Sequence, residues 1–117
     1  MSALNYLHNL GIVHRDIKPE NMMYEKRTKL IKIIDFGISC RIKPGEFLKA
    51  RVGTPYYIAP EVLKKRYNEK CDIWSLGIVL YMIVYNVPPF FGSDPPSVMD
   101  KILTQEVKYK NSKYELR

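Results

Sequence analysis

His14-Arg15-Asp16-Ile17-Lys18-Pro19-Glu20-Asn21, followed fourteen residues after Asn21 by Asp35-Phe36-Gly37, decides how this chain is read. Directly behind Asn21 comes the short apolar run Met22-Met23-Tyr24, then the polar Glu25-Lys26-Arg27-Thr28, then a second apolar run from Leu30 to Ile34. Two short apolar runs around a polar turn predict a β-hairpin. Centred near Thr28, that hairpin sets Asn21 and Asp35 side by side at its open end. A carboxylate (Asp16), an ammonium (Lys18) and two oxygen donors suited to a hard cation (Asn21, Asp35) then fall within reach of one phosphate. Phosphoryl transfer asks a protein for little more than a positioned hydroxyl and a clamped, neutralised phosphate tail.

Outward from this centre, residues 2–10 carry an apolar stripe of Ala3, Leu4, Leu7 and Leu10, with Gly11 suited to the position just past a helix end. The chain is expected to start in or beside this helix, with no room for an N-terminal cap. Residues 38–58 show little periodicity, hold Pro44-Gly45 and Gly53-Thr54-Pro55, and predict a long loop of the kind that carries function. Ala59 to Lys65 suits a short helix. Glu69 to Asn86 predicts a long, largely buried helix that stops before Pro88-Pro89. Ser93-Asp94 ahead of Pro95-Pro96 supplies cap candidates and a first-turn proline for a last helix to about Gln105. Residues 106–117 carry no pattern.

With 117 residues, 46% hydrophobic and 26% charged, the chain suits one soluble globular domain at most. The longest apolar run, Ile73 to Tyr85, is too short for a membrane span of about 20 residues. No secretory signal opens the chain. Cys40 and Cys71 have no metal-like spacing and read as reduced thiols of an intracellular, cytoplasmic protein. A net charge of +7 raises the question of a nucleic-acid or membrane partner. The basic clusters Lys64-Lys65-Arg66 and Lys26-Arg27 carry no interleaved aromatics, so they read as solvated turns, and no nucleic-acid partner is expected.

The octad and the Asp-Phe-Gly triplet continue into Gly53-Thr54-Pro55-Tyr56-Tyr57, Ala59-Pro60-Glu61 and Asp72-Ile73-Trp74-Ser75-Leu76-Gly77. Five motifs in this order resemble the C-terminal lobe of a eukaryotic protein kinase over nearly all of residues 1–105. The resemblance implies a mainly α fold with one small β-hairpin, a partial C-terminal lobe filling 1–117. It implies ATP and Mg²⁺ as cofactors and a protein substrate bearing Ser or Thr. Asp16 would accept or orient the proton of the substrate hydroxyl, and Lys18 would contact the γ-phosphate. Asn21 and Asp35 would hold Mg²⁺, and Met23 would contact the adenine ring. Thr54 would bridge Asp16 and Lys18, an arrangement of serine/threonine-directed members. Pro55, Tyr57 and Ile58 would floor the groove beside the target residue. Asp72 would accept hydrogen bonds from the backbone near His14 and Arg15. His14 would be structural, packed under Phe36, and Gly37 would let Asp35-Phe36 flip. His8 reads as an exposed helix residue.

Three departures shape the expectation. No Gly-rich loop, strand lysine or partner glutamate precedes the octad, so half of the nucleotide site is expected to be missing and ATP binding by these 117 residues to be very weak. Glu61, which pairs with a distant arginine in the family, is expected to be unpaired or exposed. Between Cys40 and Gly53 there is no Ser, Thr or Tyr, and the usual phosphate-acceptor position is Ala50. Glu46, or no anion at all, is therefore expected to face Arg15. The string from Gly53 to Glu61 and Tyr67-Asn68-Glu69-Lys70-Cys71-Asp72 look most like calmodulin-regulated or calcium-dependent protein kinases, yet no EF-hand loop occurs here. Glu20 could face an arginine of a basic substrate, although Met82 stands where strongly arginine-directed relatives carry an acid. The alternative function is a catalytically incompetent kinase piece acting as a binding module, with apolar faces left open.

Overall fold

The computed structural model describes residues 2–107, so the unpatterned tail from position 108 lies outside the described residues. Helix α1 (Ser2–Asn9) seats Leu4 in the core and leaves Leu10, beyond its last turn, half exposed. Gly11 reverses the chain at φ +73°, and a Cβ there would lie 2.9 Å from the Ile42 carbonyl oxygen, so glycine is required twice over. The chain then enters β1 (Ile12–Val13), which pairs antiparallel with β4 (Cys40–Arg41). Of this pair, β4 lies inside the stretch expected to be loop. Two-residue strands are too short for alternation to mark them, and their partners are far apart in sequence.

The predicted hairpin is present as β2 (Met22–Glu25) and β3 (Leu30–Ile33), with Met22 opposite Ile33 and Glu25 opposite Leu30. One further bond, from the Ile34 N–H to the Asn21 carbonyl at 2.8 Å, closes the open end. Asn21 and Asp35 therefore leave the hairpin as neighbours. A short 3₁₀ turn (Pro55–Tyr57) and helix α2 (Pro60–Leu63) follow the loop.

Helix α3 (Lys70–Tyr85) is the spine of the described residues, ending on Asn86 in the left-handed region. Against its first turns pack Val13, Ile58, Ala59, Val62 and Tyr67 around Cys71. Against its middle pack Tyr57, Phe90, Val98 and Ile102 around Ile78 and Val79. The Ser75 hydroxyl donates to the Tyr57 carbonyl at 2.7 Å, tying the loop before α2 to the spine. Ile73, Leu80 and Ile83 are exposed, so α3 is covered on one flank and not the largely buried helix its composition suggested. An all-round apolar sequence says that a helix is to be buried without saying which described segment buries each face. Helix α4 (Pro95–Thr104) is capped as predicted, with the Asp94 carboxylate accepting from the Ser97 N–H at 2.9 Å. The described residues thus form helices with two small antiparallel sheets, and helix exceeds strand.

Candidate active site

A buried carboxylate fixes the loop that holds the site. Asp72, fully buried in the first turn of α3, accepts from the backbone N–H of His14 and of Arg15, each at 2.8 Å. His8 Nε2 lies 2.9 Å from the same carboxylate. His8 is therefore a part-buried partner and not the exposed helix residue expected of it. It stands one helical turn after Leu4, on the face that Leu4 commits to the core, and that spacing was the signal available. Three donors around one buried carboxylate satisfy a charge that would be costly alone.

His14 is buried and structural. Its Nδ1 accepts from the Asp16 N–H at 3.1 Å, so Nε2 carries the proton and donates to the Ile34 carbonyl at 2.9 Å. Phe36 meets the ring edge-on with centroids 5.0 Å apart. Arg15 and Asp35 both sit in the left-handed region, at φ +73° and +58°. Non-glycine residues hold such angles only where surrounding contacts enforce them. Here the Asp72 bonds enforce the first, and the Asp35 carboxylate, accepting from the Gly37 N–H at 3.2 Å, helps hold the second. A Cβ at position 37 would lie 3.1 Å from that carboxylate oxygen. Glycine thus keeps room for Asp35.

Thr54, Lys18 and Asn21 form one network around Asp16. Thr54 Oγ1 donates to Asp16 Oδ1 at 2.8 Å and accepts from Lys18 Nζ at 2.9 Å, and Lys18 Nζ lies 3.7 Å from Asp16 Oδ2. The buried Asn21 spends its amide nitrogen on the Asp16 carbonyl at 2.8 Å and on Asp16 Oδ2 at 3.3 Å. With the nitrogen committed, Asn21 Oδ1 has no hydrogen-bond donor among the described residues. Its neighbour Asp35 is exposed at the same end of the hairpin. One free amide oxygen and one carboxylate are a donor set that fits Mg²⁺, which keeps waters and phosphate oxygens as its other ligands. Met22 packs against the core, whereas Met23 is 57% exposed.

The residues expected to floor a groove, and Arg15 beside them, are seated as follows. Tyr57 and Ile58 are buried, and burial, then the Glu20 charge, raises the pKa of Tyr57. Arg15 donates from Nε to the Ile38 carbonyl at 2.7 Å and from Nη1 to the Tyr67 hydroxyl at 3.3 Å. Glu46 instead accepts from the Lys43 N–H at 3.1 Å, within its own turn. Among the described residues no carboxylate pairs with Arg15, and Glu61 makes no ion pair.

Both cysteines are free. Burial, then the charges of Asp72 and Glu61, pushes the Cys71 thiol well above its ordinary 9.0. Raising the folded-state pKa makes this stabilisation complete below 9.0 and lost as pH rises further. Alkylation at pH 8 is expected to modify half-buried Cys40 while Cys71 reacts at least about tenfold more slowly until denaturant is added. Peptide mapping of the alkylated protein reads the ratio, and equal labelling of the two would contradict the burial.

Sequence comparison shows the family. Residues 1–116 match the protein kinase domain. The chain belongs to the protein kinase family. It is 46% identical over 107 residues to calcium-dependent protein kinase 4 of Plasmodium berghei, covering 89% of the chain and 20% of that kinase. It is 40% identical over 113 residues to calcium-dependent protein kinase 2 of Arabidopsis thaliana, covering 95% of the chain and 18% of the relative. It is 38% identical over 113 residues to calcium-dependent protein kinase 10 of Oryza sativa subsp. japonica, again 95% of the chain, and 19% of the relative. The chain spans about a fifth of the length of these curated relatives. No described helix is long and apolar enough to cross a membrane.

Proposed function

We propose that this kinase chain contributes the catalytic loop and metal-binding residues for transfer of the γ-phosphoryl of MgATP to Ser or Thr hydroxyls of proteins, as the partial C-terminal lobe of a kinase. The observation that carries the reading is the Asp16–Thr54–Lys18–Asn21 network, set at the hairpin end from which Asp35 follows. Asp16 keeps its carboxylate oriented by Thr54 and Asn21 and accepts the proton of an incoming hydroxyl. Lys18, held by the Thr54 oxygen, places a positive charge beside the transferred group. Asn21 Oδ1 and the Asp35 carboxylate are the groups that would hold Mg²⁺, which supplies charge neutralisation on the phosphate tail. Met23, exposed on β2, offers an apolar surface to adenine.

Direction toward Ser and Thr rests on Thr54. Its single hydroxyl reads both partners at once, a donor to the carboxylate and an acceptor from the ammonium, and so spaces base and cation for a short aliphatic hydroxyl. Replacing Thr54 by valine keeps shape and deletes both bonds. Hydrogen bonds to charged groups are worth about 1.5–3 kcal/mol, so kcat for a Ser/Thr peptide in the native protein is expected to fall by about 10- to 100-fold. Thr54→Ser, which keeps the hydroxyl, is expected to stay within about threefold of wild type. Wild-type turnover in Thr54→Val would remove the role given to this residue. Calcium-dependent control, which the relatives' names carry, is the regulation we propose. No EF-hand pattern occurs among the 117 residues, so that control acts on this chain from other residues or another protein.

A further inference from the structure

Four contacts converge on Arg66 and Tyr67, in the turn between α2 and α3. The Arg66 guanidinium lies 4.0 Å from the centre of the Phe47 ring. Leu48 and Tyr67 form an isolated antiparallel bridge, with the Leu48 N–H donating to the Tyr67 carbonyl at 2.7 Å and the Tyr67 N–H donating back at 3.1 Å. The Tyr67 hydroxyl donates to the Ala50 carbonyl and accepts from Arg15 Nη1 at 3.3 Å. Tyr67 itself is 2% exposed, and its aromatic body belongs to the core around Val13, Val62 and Cys71. No Ser, Thr or Tyr occurs between Cys40 and Gly53, so this stretch has no hydroxyl of its own to phosphorylate.

We propose that Tyr67 is a positioning residue for the peptide side of the site: its phenol joins the Arg15 guanidinium to the Ala50 carbonyl and docks residues 48–53 without a phosphate. The phenol suits this task because it accepts and donates through one oxygen. Burial raises its pKa above the ordinary 10.0 against the lowering effect of Arg15, so it keeps the proton that it donates. The docked stretch feeds directly into the site. Gly53 passes so close to the loop that a Cβ on it would lie 3.0 Å from the Arg15 carbonyl, and Thr54 follows on Asp16. Holding residue 50 against Arg15 therefore sets where Thr54 and the groove beside it begin.

The test is limited trypsin digestion of the native protein with Tyr67→Phe and Tyr67→Leu. Lys49 and Arg51, both exposed, flank Ala50 and report on this stretch, while exposed Lys26 and Lys64 serve as internal references. Deleting only the hydroxyl is expected to speed cleavage at Lys49 and Arg51 by about tenfold relative to the references, with Leu doing the same. A Phe variant cut no faster at Lys49 and Arg51 than at the reference sites overturns the proposal and leaves Tyr67 a packing residue, opened by Leu alone. The kinetic arm rests on the functional reading above: Tyr67→Phe is expected to raise the peptide KM about fivefold and leave the KM for ATP unchanged. A native protein that transfers no phosphoryl group would defeat that reading, while the cleavage ratio would still decide the role of Tyr67.

Discussion

Asp16→Asn in the native protein is expected to lower phosphotransfer to a Ser/Thr peptide by about 10²- to 10⁴-fold, the usual worth of a positioned general base. Asparagine is nearly the same shape, and its carbonyl oxygen still accepts from Thr54 or from the Asn21 amide. The loop should stay folded. What is lost is the negative charge that draws the proton from an incoming hydroxyl and balances Lys18, 3.7 Å away. ATP affinity is expected to stay within about threefold, because Asp16 touches the hydroxyl side and not the nucleotide. Steady-state turnover alongside nucleotide titration checks both halves. Undiminished phosphotransfer in Asp16→Asn would remove the base assignment.

The second large effect is structural. Asp72→Ala strips the acceptor from the His14 and Arg15 N–H groups and from His8 in one step. Breaking a buried charged cluster by deleting one partner costs about 3–5 kcal/mol. The urea midpoint of the native protein should fall accordingly, with its slope unchanged. Asp72→Asn retains one acceptor oxygen and should cost less, since it leaves fewer donors unpaired. A loss of under about 1 kcal/mol in Asp72→Ala would show that the loop is held by other contacts.

The chain announced its site unevenly, and the reasons are physical. The neighbourhood of Asn21 and Asp35 is legible because two apolar runs around a polar turn near Thr28 bring the ends of the hairpin together. Helix α4 was legible because Asp94 and two prolines are local signals. The bonds of Thr54 to Asp16 and of Asp72 to His14 span 38 and 58 residues, and no local pattern encodes such a separation. They were anticipated from resemblance to kinases, not from spacing. The β1–β4 pair and the Tyr67 clasp were missed altogether. Each joins one or two residues across a long interval, and a buried tyrosine ahead of a helix looks like ordinary core until its hydroxyl partners are seen. His8 taken as a single residue reads as exposed, and only its turn relation to Leu4 places it on the buried face.

The most direct measurement is paramagnetic line broadening in the native protein with Mn²⁺ and ATP in place of Mg²⁺ and ATP. With Asn21 and Asp35 as the metal-holding groups, amide signals of residues 16–21 and 34–37 should broaden strongly. Those of residues 26–29, at the far turn of the same hairpin, should broaden less, because the effect falls steeply with distance from the metal. Broadening centred on the 26–29 turn, or none at the Asn21–Asp35 end with ATP bound, would contradict the placement of the nucleotide on which the account depends.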